Sequence, residues 1–574
     1  MGTATLLEPS SLDKPSLDKP FVEEKPVEET PANSALVDAV VFEAPLSTEA
    51  LFQEKLRNAT PGKLGMAAFW LILTAGLAYI ATNIWRDLSV VHTTSIFPYL
   101  LLGLALLIAL GFEFVNGFHD TANAVATVIY TNSLEPHIAV VYSGILNFIG
   151  VLLSSGAVAF TIVHLLPVEL ILKLSNGTGF AMIFALLLAA ILWNLVTWYG
   201  GLPTSSSHTL IGSIMGVGVA SQLMNGRAGT SSVDWEQMKK VFEALLISPV
   251  VGFSVAGVLF LLFRFASTDA RLYSAPEGDT PPPIYIRALL VLTCGGVSYA
   301  HGSNDGQKGM GLIMLILVGT MPTAYALNHA VNADEVQRFA VVSTQLVGAL
   351  DKDVQPEMTV QNPEAELERF VRTRRYQPQV TLALAQMVVT VRDEAVLYGT
   401  PAHVPPQMQA NVRNQMYLNG ETLRLLTKSG GPQMSAADAK LVASYQSELD
   451  RSTKFIPDWV KVAVALALGM GTMVGWRRIV ITVGEKIGKT RMTYAQGASA
   501  QIVAMSTILA AGAYGLPVST THVLSSSVAG TMTANHSGLQ WETVRNIATA
   551  WVLTLPAAAL LSGSLFWLFN TLAK

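Results

Sequence analysis

Residues 117–124 read GFHDTANA, and residues 302–309 read GSNDGQKG. Both stretches contain the pattern G-x-[HN]-D inside a long apolar segment. A second pair of stretches is also alike: residues 203–208 read PTSSSH and residues 517–522 read PVSTTH, each directly after Gly-Leu. Because both motifs recur in the same order, the sequence predicts that one structural module is present twice.

The spacing of these motifs locates an insertion. The first and second motifs are 86 residues apart in the first copy and 215 residues apart in the second. Removing the polar stretch 325–456, which is 132 residues long, reduces the second spacing to 83 residues. The second copy is therefore predicted to carry an inserted domain. Helical periodicity in 364–376 and 380–399 indicates that this domain is a small helical one.

Composition places both copies in a membrane. The chain has 574 residues, of which 51% are apolar and 13% are charged, whereas soluble proteins carry roughly 25% charged residues. Residues 1–63 and 325–456 hold 17 and 27 of the 76 charged residues, so the rest is poorer still in charge. It is divided into apolar segments of about 20 residues, the length of a membrane-spanning helix. The predicted fold class is an all-α polytopic membrane protein.

Charge, cysteine content and missing motifs exclude other classes. The net charge of −4 argues against a nucleic-acid surface, and the single cysteine, Cys294, excludes a disulfide framework or a cysteine metal cluster. The sequence lacks the G-x-x-x-x-G-K-[ST] pattern of a nucleotide-driven pump. It also lacks the G-x-S-x-G pattern that a membrane hydrolase would carry. We therefore predict a protein that is not an enzyme and that has no cofactor.

Hydropathy predicts eleven membrane crossings, and the Lys/Arg bias orients them. The connection 476–491 carries five basic residues against Glu485, which places it in the cytoplasm together with 264–287. Parity then predicts a cytoplasmic N-terminus, with the C-terminus and the insert extracytoplasmic. Equivalent segments run in opposite directions, so the two copies are predicted to be inverted-topology repeats. The predicted crossings lie near 64–85, 98–132, 138–165, 179–199, 203–222, 244–263, 288–320, 457–475, 493–512, 516–533 and 547–569.

The domain boundaries follow from these segments. The N-terminal tail is rich in Pro and Glu and poor in aromatic residues, so it is predicted to be disordered, and it lacks the pattern of a signal peptide. The predicted domains are the acidic tail 1–62, an extra transmembrane helix and connection over 63–97, membrane repeat 1 over 98–263, a cytoplasmic connection over 264–287, the first part of repeat 2 over 288–324, the insert 325–456 and the second part of repeat 2 over 457–574.

Four charged residues lie within the predicted spans: Glu113, Asp120, Asp305 and Lys308. Ionisable groups are costly in a bilayer, so each is a candidate functional residue. The alternative is a structural ion pair, such as Asp305 with Lys308 one helical turn apart. Asp120 and Asp305 recur at equivalent places, which favours function. Glu113 has Ser298 at its equivalent position, so it is equally well a helix-end residue that reaches the interface.

The Pro-Ser/Thr motifs are typical of anion-binding helix starts. Proline suits the first helical position, and the following backbone N–H groups lie at the positive end of the helix dipole. Hydroxyl groups add further donors for a tetrahedral oxyanion. The alternative is that these hydroxyls only satisfy backbone carbonyls or allow close helix packing. The hydroxyl-bearing candidates are Ser205, Ser206, Ser207, Ser519, Thr520 and Thr521.

Two aspartates in such a site would repel an anion unless a cation accompanies it. That cation is a proton, Na⁺, or a divalent metal bridging Asp120 or Asp305 and the anion. His208 and His522 are either proton carriers or ordinary packing residues. Glycines at 117, 302, 306, 309 and 311 are predicted to let the helices break and expose carbonyl groups to an ion.

These motifs carry a family resemblance. The stretches GFHDTANAVATVIYT (117–131), GLPTSSSHTLIG (201–212), HGSNDGQKGMGL (301–312), GWRRIVITVGEKIG (475–488) and GLPVSTTHVLSSSVAGT (515–531) resemble the PiT family of inorganic phosphate transporters, in particular the low-affinity bacterial type. The resemblance covers about residues 98–574. Residues 1–85 lie outside it.

The resemblance implies a secondary symporter with inverted repeats that moves inorganic phosphate into the cytoplasm. In the bacterial type the substrate is a neutral metal–phosphate complex carried with protons, whereas other branches use Na⁺. The family's substrate site, placed on matching residues, would comprise Asp120, Asn123, Ser205, Ser206, Ser207, Asn304, Asp305, Ser519, Thr520 and Thr521. Ion coupling would involve Asp120, Asp305, His208, His522 and Lys308.

Two departures from the family pattern bear on the coupling ion. His119 and Lys308 stand where many relatives have Asn, which favours a co-transported proton or a divalent metal such as Mg²⁺ over Na⁺. The alternatives are a Na⁺-coupled phosphate symporter and a transporter of another oxyanion such as sulfate. Phosphate and the lipid bilayer are the predicted partners, with a homo-oligomer as a further option, and the predicted location is the bacterial inner membrane.

Overall fold

The computed structural model describes residues 62–88, 97–166, 177–224, 233, 235–276, 280–353, 357–426, 431–432 and 434–572. Except for Gly62, the predicted acidic tail lies outside the described residues. Regular structure in the described part is helical, with one isolated β-bridge between Gly488 and Leu539. The predicted all-α class is confirmed.

The membrane part is built from two runs of helices in the same order. Each run has a long helix, two helices separated by a short break, another helix, a helix that begins at a Ser/Thr motif and a long helix with an internal proline, Pro249 or Pro556. After α1 (Lys63–Leu88), the first run is α2 (Phe97–Tyr130), α3 (Pro136–Leu152), α4 (Ala157–Leu165), α5 (Gly177–Tyr199), α6 (Ser206–Met224) and α7 (Trp235–Ala266).

The second run has an additional group of helices after its first member. It begins with α8 (Ile284–Thr320), and the additional helices are α9 (Pro322–Tyr325), α10 (Ala333–Leu350), α11 (Pro363–Thr373), α12 (Pro378–Tyr398), α13 (Pro406–Leu426) and α14 (Ala436–Thr453). The run continues with α15 (Asp458–Thr472), α16 (Arg477–Glu485), α17 (Tyr494–Ala513), α18 (Thr520–Ala534) and α19 (Trp541–Leu572).

The segment 138–165, predicted as one crossing, is not one continuous helix. It forms α3 and α4, which meet at an angle of 77°. Gly156 stands directly before α4 with φ +85°, a conformation that other residues rarely adopt. Gly475, with φ +75°, stands just before α16 in the second run. A glycine in the left-handed conformation therefore precedes the shorter helix of this pair in each run.

The two long helices are continuous through their motifs, so the predicted breaks at their glycines are wrong. α2 passes through Gly117, and α8 passes through the glycines at 302, 306, 309 and 311. These residues allow close helix contact instead. A Cβ atom on Gly302 would lie 2.1 Å from the backbone oxygen of Asn147 in α3.

The two runs pack against each other reciprocally. α6 lies against α19, and α18 lies against α7. A Cβ atom on Gly216 would come within 2.0 Å of the Ala559 backbone oxygen, and one on Gly530 within 2.0 Å of the Phe253 backbone oxygen. Equivalent glycines thus make equivalent contacts across the two runs. The inverted relation of the repeats stays a prediction.

Several helices are suited to a bilayer. In the described part, six are long and apolar enough to cross a membrane, and up to eight spans result when two bent pairs are included. Large apolar side chains such as Leu107, Val250 and Leu560 are exposed on their outer surfaces. These features and the span candidates describe a multi-pass membrane protein. The number of eleven crossings and the orientation of the termini stay predictions.

The insert forms its own hydrophobic core from helices α10 to α14. Leu367, Phe370 and Val388 are fully buried there. The helices predicted at 364–376 and 380–399 are α11 and α12. The two ends of the insert are joined, because the Asn328 backbone N–H donates to the Ser452 oxygen at 2.8 Å and its side-chain amide to the Arg451 oxygen at 2.9 Å.

Candidate functional site

The aspartates of the two repeated motifs meet in the interior of the membrane part. Asp120 on α2 and Asp305 on α8 are both buried. The Ser206 hydroxyl, at the start of α6, lies 3.0 Å from Asp120 Oδ2 and 3.3 Å from Asp305 Oδ2. A single hydroxyl therefore lies between carboxylates from both runs. The two aspartates that occupy equivalent positions in the sequence are thus close together in space.

In the first run, Asp120 contacts the start of α18. Thr521 donates to Asp120 Oδ1 at 2.5 Å, and the Asn123 side-chain amide donates to Thr521 Oγ1 at 2.9 Å. Thr521 belongs to the other run, so this hydrogen-bonded chain joins the two halves. The arrangement brings together three of the predicted site residues.

In the second run, Asp305 forms an ion pair. Lys308 Nζ lies 2.7 Å from Asp305 Oδ1 and also donates to Ser207 Oγ at 2.5 Å. The Ser207 hydroxyl donates to the Val518 backbone oxygen at 2.8 Å. The alternative reading of Lys308 as an ion-pair partner therefore matches the structure, and the pair lies within the site.

The helices that follow the Pro-Ser/Thr motifs, α6 and α18, begin later than predicted. Ser205 and Ser519 cap them, because their hydroxyls accept hydrogen bonds from the backbone N–H groups of His208 and His522 at 3.2 and 3.1 Å. The prolines at 203 and 517 consequently precede the first helical residues instead of occupying that position, and this part of the prediction is wrong. A serine cap satisfies a free N–H group, so it fixes where each helix starts.

His301, which the sequence interpretation did not select, faces both aspartates. Its Nε2 atom lies 3.7 Å from Asp120 Oδ2 and 3.5 Å from Asp305 Oδ2. Its Nδ1 atom is 2.9 Å from the Asn147 side-chain oxygen, which can only accept, so Nδ1 carries a proton. The spacing of four residues between His301 and Asp305 places both on one helix face and could have identified it.

The group formed by Asp120, His301 and Asp305 is suited to a positive charge. One ligand atom from each lies within 4.8 Å of the others, and all three residues are buried. A histidine lone pair directed at two carboxylates is repelled by them. The arrangement is stable when a proton or a metal ion lies between these groups.

His119 is a second residue that sequence reasoning did not select as a member of the site. Its Nδ1 atom lies 3.5 Å from Asp120 Oδ1. Its Nε2 atom lies 3.2 Å from Thr197 Oγ1 and 3.3 Å from Thr204 Oγ1. His119 therefore connects the first aspartate to α5 and to the turn before α6.

Other predicted residues lie beside this cluster. The rings of His208 and His522 are 4.3 Å apart and tilted by 36°, and His522 also stacks on Trp551 at 3.9 Å. The Asn304 side chain donates to the Leu516 backbone oxygen at 3.2 Å and so holds the turn before α18. Thr520 is buried at the start of α18. Roles for these residues in substrate binding and ion coupling stay predictions.

Glu113 is the remaining charged candidate on α2. It is fully buried, so the alternative of a helix-end residue at the interface is wrong. The Asn116 side-chain amide lies 3.5 Å from Glu113 Oε2. A Cβ atom on Gly309 would lie 2.4 Å from Glu113 Oε1, which places this carboxyl against α8 one residue beyond Lys308.

Replacing His301 tests the site directly. We expect His301→Gln to lower solute uptake by about tenfold to a hundredfold, or about 1.4–2.8 kcal/mol, because glutamine cannot carry a positive charge beside the two carboxylates. The control is His137→Gln, which removes an exposed histidine of the same membrane part. Uptake by reconstituted protein is the measurement, and equal rates for both variants would contradict the role of His301.

Comparison with known proteins assigns the family. Residues 116–562 match the model of the phosphate transporter family. The low-affinity inorganic phosphate transporters PitA and PitB of Escherichia coli K12 are 43% and 42% identical to this chain, over 82% of it and 96% and 97% of their own lengths. A solved structure described as the sodium-dependent phosphate transporter covers 82% of this chain and 99% of its own at 20% identity, with a TM-score of 0.46. The relatives are named as transporters, which confirms the prediction that the protein is not an enzyme. The chain belongs to the phosphate transporter family.

Proposed function

We propose that this protein is a secondary active symporter that imports inorganic phosphate, as a metal–phosphate complex together with protons, by alternating access. The observation that carries the proposal is the sharing of the Ser206 hydroxyl by Asp120 and Asp305, which come from the two equivalent runs. A binding site at the junction of two repeats is bounded on both sides by parts that can move relative to each other.

The charges of the site favour co-transport of a cation. When His301 is neutral, the charges of Asp120, Asp305 and Lys308 sum to −1, and Glu113 contributes no positive charge. An anion entering this buried site alone would be repelled. Protonation of a carboxylate, or a divalent metal bound to both the phosphate and a carboxylate, removes that repulsion.

The hydrogen-bonding groups favour phosphate over sulfate. The starts of α6 and α18 supply backbone N–H groups and hydroxyls, which serve either oxyanion. A protonated phosphate can also donate a hydrogen bond to a carboxylate, whereas sulfate at neutral pH cannot. Two aspartates in the site therefore support phosphate, as do the names of the relatives.

Alternating access is supported by the reciprocal packing of the two runs. Equivalent glycines such as Gly216 and Gly530 bring helix backbones into close contact across the runs. Flat, small-residue surfaces allow helices to slide or rock with little change in side-chain packing. We propose that such motion exposes the aspartate site to one side of the membrane at a time.

The decisive test is uptake of labelled phosphate into proteoliposomes. H⁺ and Na⁺ gradients are imposed separately, each with and without Mg²⁺, and labelled sulfate is measured in parallel. We expect phosphate uptake driven by the H⁺ gradient and increased by Mg²⁺. Uptake driven only by Na⁺ would favour the Na⁺-coupled alternative, faster sulfate uptake would favour another oxyanion, and indifference to all three ions would exclude symport.

A further inference from the structure

The two runs contain the same side-chain arrangement with one difference in charge. Asp305, Lys308 and Ser207 in one arrangement correspond by motif position to Asp120, Asn123 and Thr521 in the other. In each case a hydroxyl at the start of the helix that follows the Pro-Ser/Thr motif of one run contacts the aspartate motif of the other run. The internal repeat therefore offers a comparison within one molecule.

The ammonium group of Lys308 is surrounded by the kinds of ligand that a metal cation would have. Its Nζ atom lies 2.7 Å from the Asp305 carboxylate, 2.5 Å from the Ser207 hydroxyl and 3.4 Å from the Val518 backbone oxygen. Carboxylate, hydroxyl and carbonyl oxygens are the ligands that hard metal cations take in proteins. Lys308 is wholly buried, so its ammonium group is held by these protein oxygens and is shielded from solvent.

The first run has no such charge at the equivalent position. Asn123 is neutral, and its Nδ2 atom donates to Thr521 Oγ1 at 2.9 Å. Its Oδ1 atom is buried and accepts no hydrogen bond from the described residues. Beside Asp120, a carboxylate, a hydroxyl and this amide oxygen are thus present without a tethered ammonium group.

We propose that Lys308 is a tethered cation that permanently fills the cation position of the second run, so that the co-transported cation enters only on the Asp120 side. This inference rests on the proposed symport. The residue at position 308 would then determine ion specificity. With lysine at this position, transport requires one mobile cation fewer than with a neutral residue. Lys308 acts by charge and position and is not displaced during transport.

The test is to remove the tethered charge and supply Na⁺ in its place. Lys308→Asn makes the second run match the first, Lys308→Gln keeps more of the side-chain volume, and Lys308→Arg keeps the charge. Each full-length variant is purified in detergent with choline or Na⁺ as the monovalent cation. Its melting temperature is then measured against Na⁺ concentration, and phosphate uptake is measured in the same two salts.

We expect Na⁺ to raise the melting temperature of Lys308→Asn or Lys308→Gln by about 3 °C or more, and that of the wild type and Lys308→Arg by less than about 1 °C. Phosphate uptake by the neutral variants should gain a Na⁺ dependence of about tenfold that the wild type lacks. A neutral variant that folds only in Na⁺ would also support the proposal.

The proposal is overturned if Na⁺ stabilises neither neutral variant, including the case in which both aggregate in either salt. It is also overturned if their phosphate uptake is no more sensitive to Na⁺ than that of the wild type. Failure of the proposed function is a separate result: the wild type would then take up no phosphate under any gradient, or would already require Na⁺.

Discussion

Asp120→Asn is expected to lower the initial rate of phosphate uptake by about 150-fold to 5,000-fold, the effect of about 3–5 kcal/mol that follows when one member of a buried charge network is removed. Asparagine keeps the size of the side chain but removes the charge. The hydroxyls of Ser206 and Thr521, which donate to this carboxylate, would then face a neutral amide that lacks the negative charge needed to attract a cation. Uptake into proteoliposomes under an H⁺ gradient with Mg²⁺ measures the effect.

The matched control is Asp458→Asn. Asp458 is at the start of α15, and 94% of its side chain is exposed, so its replacement should leave uptake within about twofold of the wild type. Size-exclusion chromatography shows whether both variants remain monodisperse. Wild-type uptake by a folded Asp120→Asn variant would place the transport site elsewhere in the chain.

Gly117→Ala is expected to destabilise the protein although it adds one methyl group. That methyl carbon would lie 2.3 Å from the Leu468 backbone oxygen and 3.0 Å from the Thr472 nitrogen, so α2 and α15 would have to separate. Overpacking of this kind costs about 1–3 kcal/mol or more. We expect the melting temperature in detergent to fall by about 1–3 °C and uptake to fall with it, because Asp120 lies one turn further along α2.

Gly111→Ala on the same helix provides the control. Apart from its own stretch of helix, no atom of the described residues lies within 4 Å of the position where its Cβ would be. Alanine favours a helix over glycine by about 0.5–1 kcal/mol, so this variant should be as stable as the wild type or slightly more stable. A similar loss of stability in both variants would show that the close contact at Gly117 is unimportant.

Repetition allowed much of the architecture to be predicted from sequence. The two aspartate motifs, the two Pro-Ser/Thr motifs and the spacing between them predicted a duplicated membrane module with an insert. The helical insert and the proximity of Asp120 to Asp305 agree with this. Such predictions are possible because a motif that is present twice constrains both local structure and symmetric contacts.

Features that depend on contacts between distant segments could not be predicted in this way. Glycine permits either a helix break or close packing of two helices, and only the neighbouring backbone of α3 or α15 decides between them. His301 was missed because histidine in an apolar segment is usually a packing residue. Its place in the site depends on its proximity to the carboxylate of Asp120, which belongs to the other run.

The joining of the insert's ends has an evolutionary consequence. Asn328 bonds to the backbone of Arg451 and Ser452, so more than a hundred residues leave and re-enter the membrane part at nearly one point. Gain, loss or exchange of this domain leaves the separation of α8 and α15 unchanged. An evolutionary change in the length of the insert therefore need not alter the helices that carry the paired aspartates.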